Sequence, residues 1–263
     1  RLTGEEEALR EAKAIFRLIE DHCTDAAGYL EAFTADWQPE SNEKLSENGV
    51  MADKTMNTLL HVFEGYSNLY RCGWDNQVAK AMRFCLDIYA NKVYDPALQR
   101  QKDFFDAHYN SIIDLYSYGH DIESSWLIDW GTRLLGDKPL TAKIEAINTE
   151  MAKAIYETAY HEHSVANECE RGVVDQTRVW WAQAEAVLGF VNLWKKCGED
   201  IYKDAARDIL CYIEDKIVDK RPGSEWFWCT DKNGNPYMEK PIVEPWKCPY
   251  HNGRMCMEVM KRL

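Results

Sequence analysis

Two stretches of this 263-residue chain resemble each other at a spacing of 124 residues. Residues 53–95 and 177–219 align so that Gly65 meets Gly189, Tyr66 meets Phe190, Asn68 meets Asn192 and Leu69 meets Leu193, with a one-residue adjustment in the turn. His61 falls opposite Glu185, and at half the spacing, 62, stands Glu123. Self-similarity of fixed period marks a repeated supersecondary unit. The unit has the apolar periodicity of a helix pair, and helices are predicted at about 4–22, 53–73, 76–93, 120–135, 140–160, 174–197, 200–219 and 251–262. Gly73, Gly136 and Gly198 stand where helices should stop. No run demands a central strand.

Hairpins of about 60 residues joined by long loops predict an all-α ring, an α/α toroid. Segments 53–73 and 174–197 are apolar with a few polar residues near one end, as befits inner helices covered on both sides. Segments 76–93 and 200–219 carry a charged face, as befits outer ones. Eight helices fall short of the twelve that six hairpins require. The ring is therefore expected to be open or to lack its opening part, and the chain begins with Arg1 rather than Met. Residues 1–263 are read as a single domain, incomplete at its N-terminal side. The loops 24–52, 95–119, 161–173 and 220–250 are long enough to suggest function.

Composition narrows the classes. With 31 Lys+Arg against 44 Asp+Glu the formal charge is −13, read as a solvated surface; no basic face is available for a phosphate backbone, so nucleic acid is not an expected partner. No apolar run spans a bilayer and the charged opening is no signal peptide, so no membrane is expected. The nine cysteines include no C-x-x-C pair and sit among apolar residues, which fits free thiols in a reducing compartment, the cytoplasm. No G-x-G-x-x-G, P-loop or G-x-S-x-G occurs, leaving no case for a dinucleotide, nucleotide or serine-hydrolase site.

Chemistry-bearing residues fall on the helices. His61 lies inside an apolar helix, while His120 and His251 open two others; imidazole titrates near neutrality and is the natural proton carrier at a polar cavity. Glu123 and Glu185 lie on apolar helices, where a carboxylate needs a partner such as a histidine, a sugar hydroxyl or an arginine such as Arg178. Glu123 follows His120 by three residues and shares its helical face. The tract HEHS at 161–164 has a spacing that splits its imidazoles between faces, so no metal is expected. Ten tryptophans are many; Trp180, Trp181, Trp226, Trp228 and Trp246 gather near helix starts or in loop 220–250, where indoles could stack on sugar C–H faces.

The strings TMNTLLHVFEGYSNLY, YGHDIESSWL, RVWWAQAEAVLGF and KCPYHNGRMCME together resemble the N-acylglucosamine 2-epimerase superfamily, in the family's order and over nearly the whole chain. The resemblance implies an (α/α)6 barrel and a cofactor-independent, reversible inversion at C2 of a reducing-end aldose, glucose to mannose in β-1,4-linked disaccharides such as cellobiose. It implies that His120 and His251 are the acid/base pair and His61 a third essential histidine. Asn57, Glu123 and Glu185 match polar cavity positions, and Trp181 and Trp246 match sugar-stacking positions. The family's N-terminal third, with an arginine and a tyrosine lining the sugar site, has no counterpart here.

The expected chemistry is ring opening, abstraction of the C2 proton to a cis-enediol(ate), and reprotonation from the opposite face. His61, with Arg178 as a weaker candidate, would stabilise the enediolate oxygen. A glycoside hydrolase or unsaturated-uronyl hydrolase would use two carboxylates instead. A truncated, non-catalytic sugar-binding protein is the other alternative. A small-molecule disaccharide is the expected partner and a monomer the favoured state.

Overall fold

The computed structural model describes residues 3–43, 49–73 and 75–263; Arg1 and residues 44–48 of the first long loop lie outside them. Eight α-helices stand among the described residues: α1 (Glu6–His22), α2 (Met56–Gly73), α3 (Asn76–Ile88), α4 (Tyr118–Leu134), α5 (Lys138–Thr158), α6 (Trp180–Cys197), α7 (Asp200–Tyr212) and α8 (His251–Arg262). Met56, Tyr118 and Trp180 open α2, α4 and α6 at intervals of 62 residues, and Asn76, Lys138 and Asp200 open their partners at the same interval. The sequence period is thus the hairpin period. Both α3 and α7 finish in a π-helical turn, Tyr89–Val93 and Ile213–Ile217. Its i→i+5 bonding brings residues four apart close to one face, and the first and last residues of each turn are buried.

One expected boundary is corrected. The helix read at 174–197 begins at Trp180, because Val173–Asp175 and Arg178–Val179 are short strands. Val173, Val174 and Val179 are β-branched residues that suit an extended backbone better than a helix start. Arg178 therefore sits in a strand paired with Thr230, not on the helix that carries Glu185.

The chain divides into two compact units, residues 1–115 with 127–147 and residues 116–126 with 148–263, so α4 and α5 each contribute to both. In the first unit α2 buries Met56, Leu59, Leu60, Phe63, Tyr66 and Leu69 at helical spacing, and Phe16 of α1 meets Tyr66 edge-on at 4.9 Å. Asp75 caps α3 by accepting the Gln77 N–H at 2.8 Å. Lys54, wholly buried just before α2, donates to Asp25 at 2.7 Å and fastens the first long loop there.

In the second unit α6 is buried along almost all of Trp180–Leu193 and packs on α7 and α8. Gly189 lets α4 approach: a Cβ there would lie 2.4 Å from a side-chain carbon of Ile122 and 2.9 Å from its carbonyl oxygen. α6 ends at Gly198, whose φ of 73° is the left-handed conformation that glycine adopts freely. Lys247, also wholly buried, donates to Glu225 and, at 2.8 Å, to the Ile242 carbonyl. Asn252 donates to the other oxygen of Glu225, so one carboxylate ties loop 220–250 to the start of α8. No helix among the described residues is long and apolar enough to cross a membrane.

Candidate active site

Three helix starts in the second unit converge on one indole. Trp181, in the first turn of α6, has its ring 4.7 Å from the His120 ring of α4 and 5.4 Å from the His251 ring of α8. Glycine makes this possible. A Cβ on Gly119 would lie 2.5 Å from Trp181 Cη2 and 3.0 Å from the Ala182 Cβ, so any larger residue pushes the indole away from its two histidines. Gly119→Ala is expected to cost about 1–3 kcal/mol in overpacking. It should also shift the His120 and His251 ring-proton resonances, which sense the indole's ring current. Denaturant titration and NMR read the two effects, and unchanged resonances would show that the indole stays in place.

The His251 ring is held on several sides. Trp180 and Tyr250 flank it at 5.4 and 4.6 Å, and its Nδ1 lies 2.8 Å from Glu185 Oε1. With Glu185 ionised, Nδ1 donates, which leaves Nε2 as the nitrogen for chemistry. Glu185 is wholly buried on α6. Its oxygens also accept from Trp126 Nε1 at 2.8 Å and from Arg254 Nη2 at 2.8 Å. Burial alone would push this carboxyl upward, yet Arg254 beside it and the bond from His251 hold it below the ordinary glutamate range. Glu123, wholly buried on α4, receives a bond from the same Arg254 nitrogen and lies 3.8 Å from His251 Nδ1.

Arg254, the cation that meets both carboxylates, is a residue that the sequence reading does not single out. Arg178 was the arginine expected near these carboxylates. Arg178 is instead spent on its own loop, donating from Nε to Ser164 Oγ at 2.8 Å and from Nη1 to the Gln176 carbonyl at 2.5 Å. The signal for Arg254 lay in the motif HNGR, where it follows His251 by three residues as Glu123 follows His120. Oxygens of Glu123 and Glu185 and a nitrogen of His251 lie within 4.8 Å of one another. A divalent ion could use that donor set, but it would first have to displace a guanidinium that already bonds both carboxylates.

The other expected residues are placed as follows. His61 and Asn57 are on α2 of the first unit; Asn57 is exposed, and His61 is part-exposed with Nδ1 3.3 Å from Glu64 Oε2. Trp246 is 64 % exposed on the second unit's long loop, next to the anchored Lys247. That exposure suits a stacking platform better than a core residue.

Comparison with known proteins adds the following. The sequence profile described as N-acylglucosamine 2-epimerase (GlcNAc 2-epimerase) matches residues 1–253. A cellobiose 2-epimerase of Eubacterium cellulosolvens is 45% identical over 275 residues, covering 98% of this chain and 68% of its own length. The crystal structure of a sugar epimerase from a ruminal bacterium superposes with a TM-score of 0.97 at 41% identity, covering 99% of this chain and 67% of that one. The cellobiose 2-epimerase of Bacillus thermoamylovorans B4167 superposes with a TM-score of 0.95 at 41% identity, covering 100% and 68%. The chain spans about two thirds of the length of each of these relatives.

Proposed function

The chain belongs to the N-acylglucosamine 2-epimerase family, and on that premise we propose that it inverts C2 of the reducing-end sugar of a β-1,4-linked disaccharide such as cellobiose. It is an isomerase of the epimerase type, and its fold class is the (α/α)6 barrel of the solved relatives. The observation that carries the finer reading is the pair of imidazoles, His120 and His251, sharing Trp181 as their neighbour.

The C2 proton of an aldose becomes acidic only when the ring opens and C1 is a free carbonyl. One imidazole then takes that proton, leaving an enediolate whose charge sits on O1. The other imidazole returns a proton to C2 from the opposite face, and the carbonyl re-forms. Substrate and product have the same oxidation level, so the reaction calls for no redox cofactor. Trp181 and Trp246 offer flat apolar faces for sugar C–H groups, and the enediolate needs a hydrogen-bond donor. For His61 and Asn57 in such roles the support is the motif TMNTLLHVFEGYSNLY in which they stand.

Hydrolysis of a glycosidic bond fits this arrangement less well. Glu123 and Glu185 are wholly buried and share one nitrogen of Arg254, whereas glycosidase carboxyl groups flank the scissile bond from two sides. Incubating the protein with cellobiose in D2O is expected to give deuterium at C2 and a glucosylmannose product, read by NMR. Release of monosaccharides, or a C2 that never exchanges, would sink the proposal.

A further inference from the structure

We infer that Arg254 is a positioning residue of this site, which by bonding Glu123 and Glu185 together fixes the charge and the orientation that the His251 ring works against. The inference rests on the reading of His251 as one of the two proton carriers.

The geometry is specific. One nitrogen, Arg254 Nη2, donates to Glu123 Oε1 and, at 2.8 Å, to Glu185 Oε1, and lies 3.4 Å from His251 Nδ1. The other, Nη1, donates to the Tyr250 hydroxyl. The guanidinium carbon sits 5.1 Å from the Trp126 ring and 4.5 Å from the Tyr250 ring. Arg254 is 8% exposed, so these contacts act in a poorly screened surrounding. A planar fork meets two carboxylates and two aromatic faces at once, which a lysine ammonium does only in part.

Charge counting shows what the arrangement achieves. Among the described residues the charged and titratable groups against His251 are Glu123 from α4, Glu185 from α6, and Arg254 with the Tyr250 phenol from its own end of α8, with His120 of α4 across the Trp181 indole. Two carboxylates against one guanidinium leave a single negative charge, which an imidazolium neutralises. Without Arg254 two buried carboxylates would face the imidazole alone and hold its proton too tightly for it to act as a base.

The test reads the ring directly, by 15N NMR of the whole 263-residue chain labelled at histidine, with His251 assigned from a His251→Asn variant. Arg254→Met is expected to keep the His251 ring doubly protonated to a pH about one unit higher than in the parent. Arg254→Lys should stay near the parent, and adding Glu123→Gln to Arg254→Met should reverse the shift. Should Arg254→Met not fold, Glu123→Gln alone keeps the arginine and is expected to move the ring the opposite way. A ring that titrates alike in the parent and these variants, or a double variant that stays shifted, overturns the inference. The measurement needs no turnover. A ring shift without C2 exchange therefore condemns the epimerase reading and leaves the action of Arg254 on His251 standing, while exchange without a ring shift does the reverse.

Discussion

Replacing His251 by Asn is expected to lower the rate of cellobiose epimerisation by about 10²–10⁴-fold, the range a positioned general acid or base contributes. The ring is fastened through Nδ1 to Glu185 at 2.8 Å and walled by Trp180, Trp181 and Tyr250, so a water molecule cannot readily take the same place and orientation. The informative readout is exchange rather than product. With two bases on opposite faces, each removes the C2 proton of one epimer only. His251→Asn should therefore slow interconversion to that extent yet leave C2 exchange on the epimer served by His120, and His120→Asn should show the mirror pattern. Each epimer is incubated separately in D2O and followed by NMR. If either single variant loses exchange on both epimers while its far-UV spectrum stays native, one histidine performs both transfers and the two-base scheme fails.

How much of this was legible in the sequence depends on how local the signal is. The hairpin period was readable because Gly65 and Gly189, His61 and Glu185 recur with their surroundings, and the helix starts then fall at intervals of 62 residues. His120, His251, Glu123, Glu185 and Trp181 could be picked out as polar or aromatic residues at the starts of apolar helices, and the second unit brings all five together. What the sequence hid was which cation meets which anion. Arg178 stands just before α6 and Arg254 in the first turn of α8; the strand that turns Arg178 toward Ser164 is fixed by pairing with residues 229–230, about fifty positions away. The buried bond of Lys54 to Asp25 likewise joins a loop to the start of a helix across 29 residues, and that of Lys247 to Glu225 closes loop 220–250 on itself across 22. Such long-range choices leave no period for a reader of the sequence to find.

Glu185→Gln is expected to destabilise the protein by about 3–5 kcal/mol, the cost of breaking a buried charge pair by removing one partner. The side chain keeps its shape but loses its charge, and Trp126, Arg254 and His251 all point at it from 2.8 Å. Arg254 would keep Glu123 as its one counter-ion. A loss of this size lowers the melting temperature by roughly 2–4 °C for each kcal/mol in a chain of this order of length. The pH dependence gives an independent check on sign. Because the folded carboxyl is held below the ordinary value of 4.5, the unfolded chain binds its proton first as pH falls. The stability that Glu185 supplies is therefore fully present above that ordinary value and drains away as pH drops through the depressed folded value. Urea denaturation at neutral pH and at successively lower pH should show the parent approaching the variant as acid is added. A gap that stays constant would mean that the carboxyl titrates alike in the folded and unfolded chain, and one that widens in the parent's favour as acid is added would mean that it is neutral in the folded protein; either way the charge arithmetic around His251 would have to be redrawn.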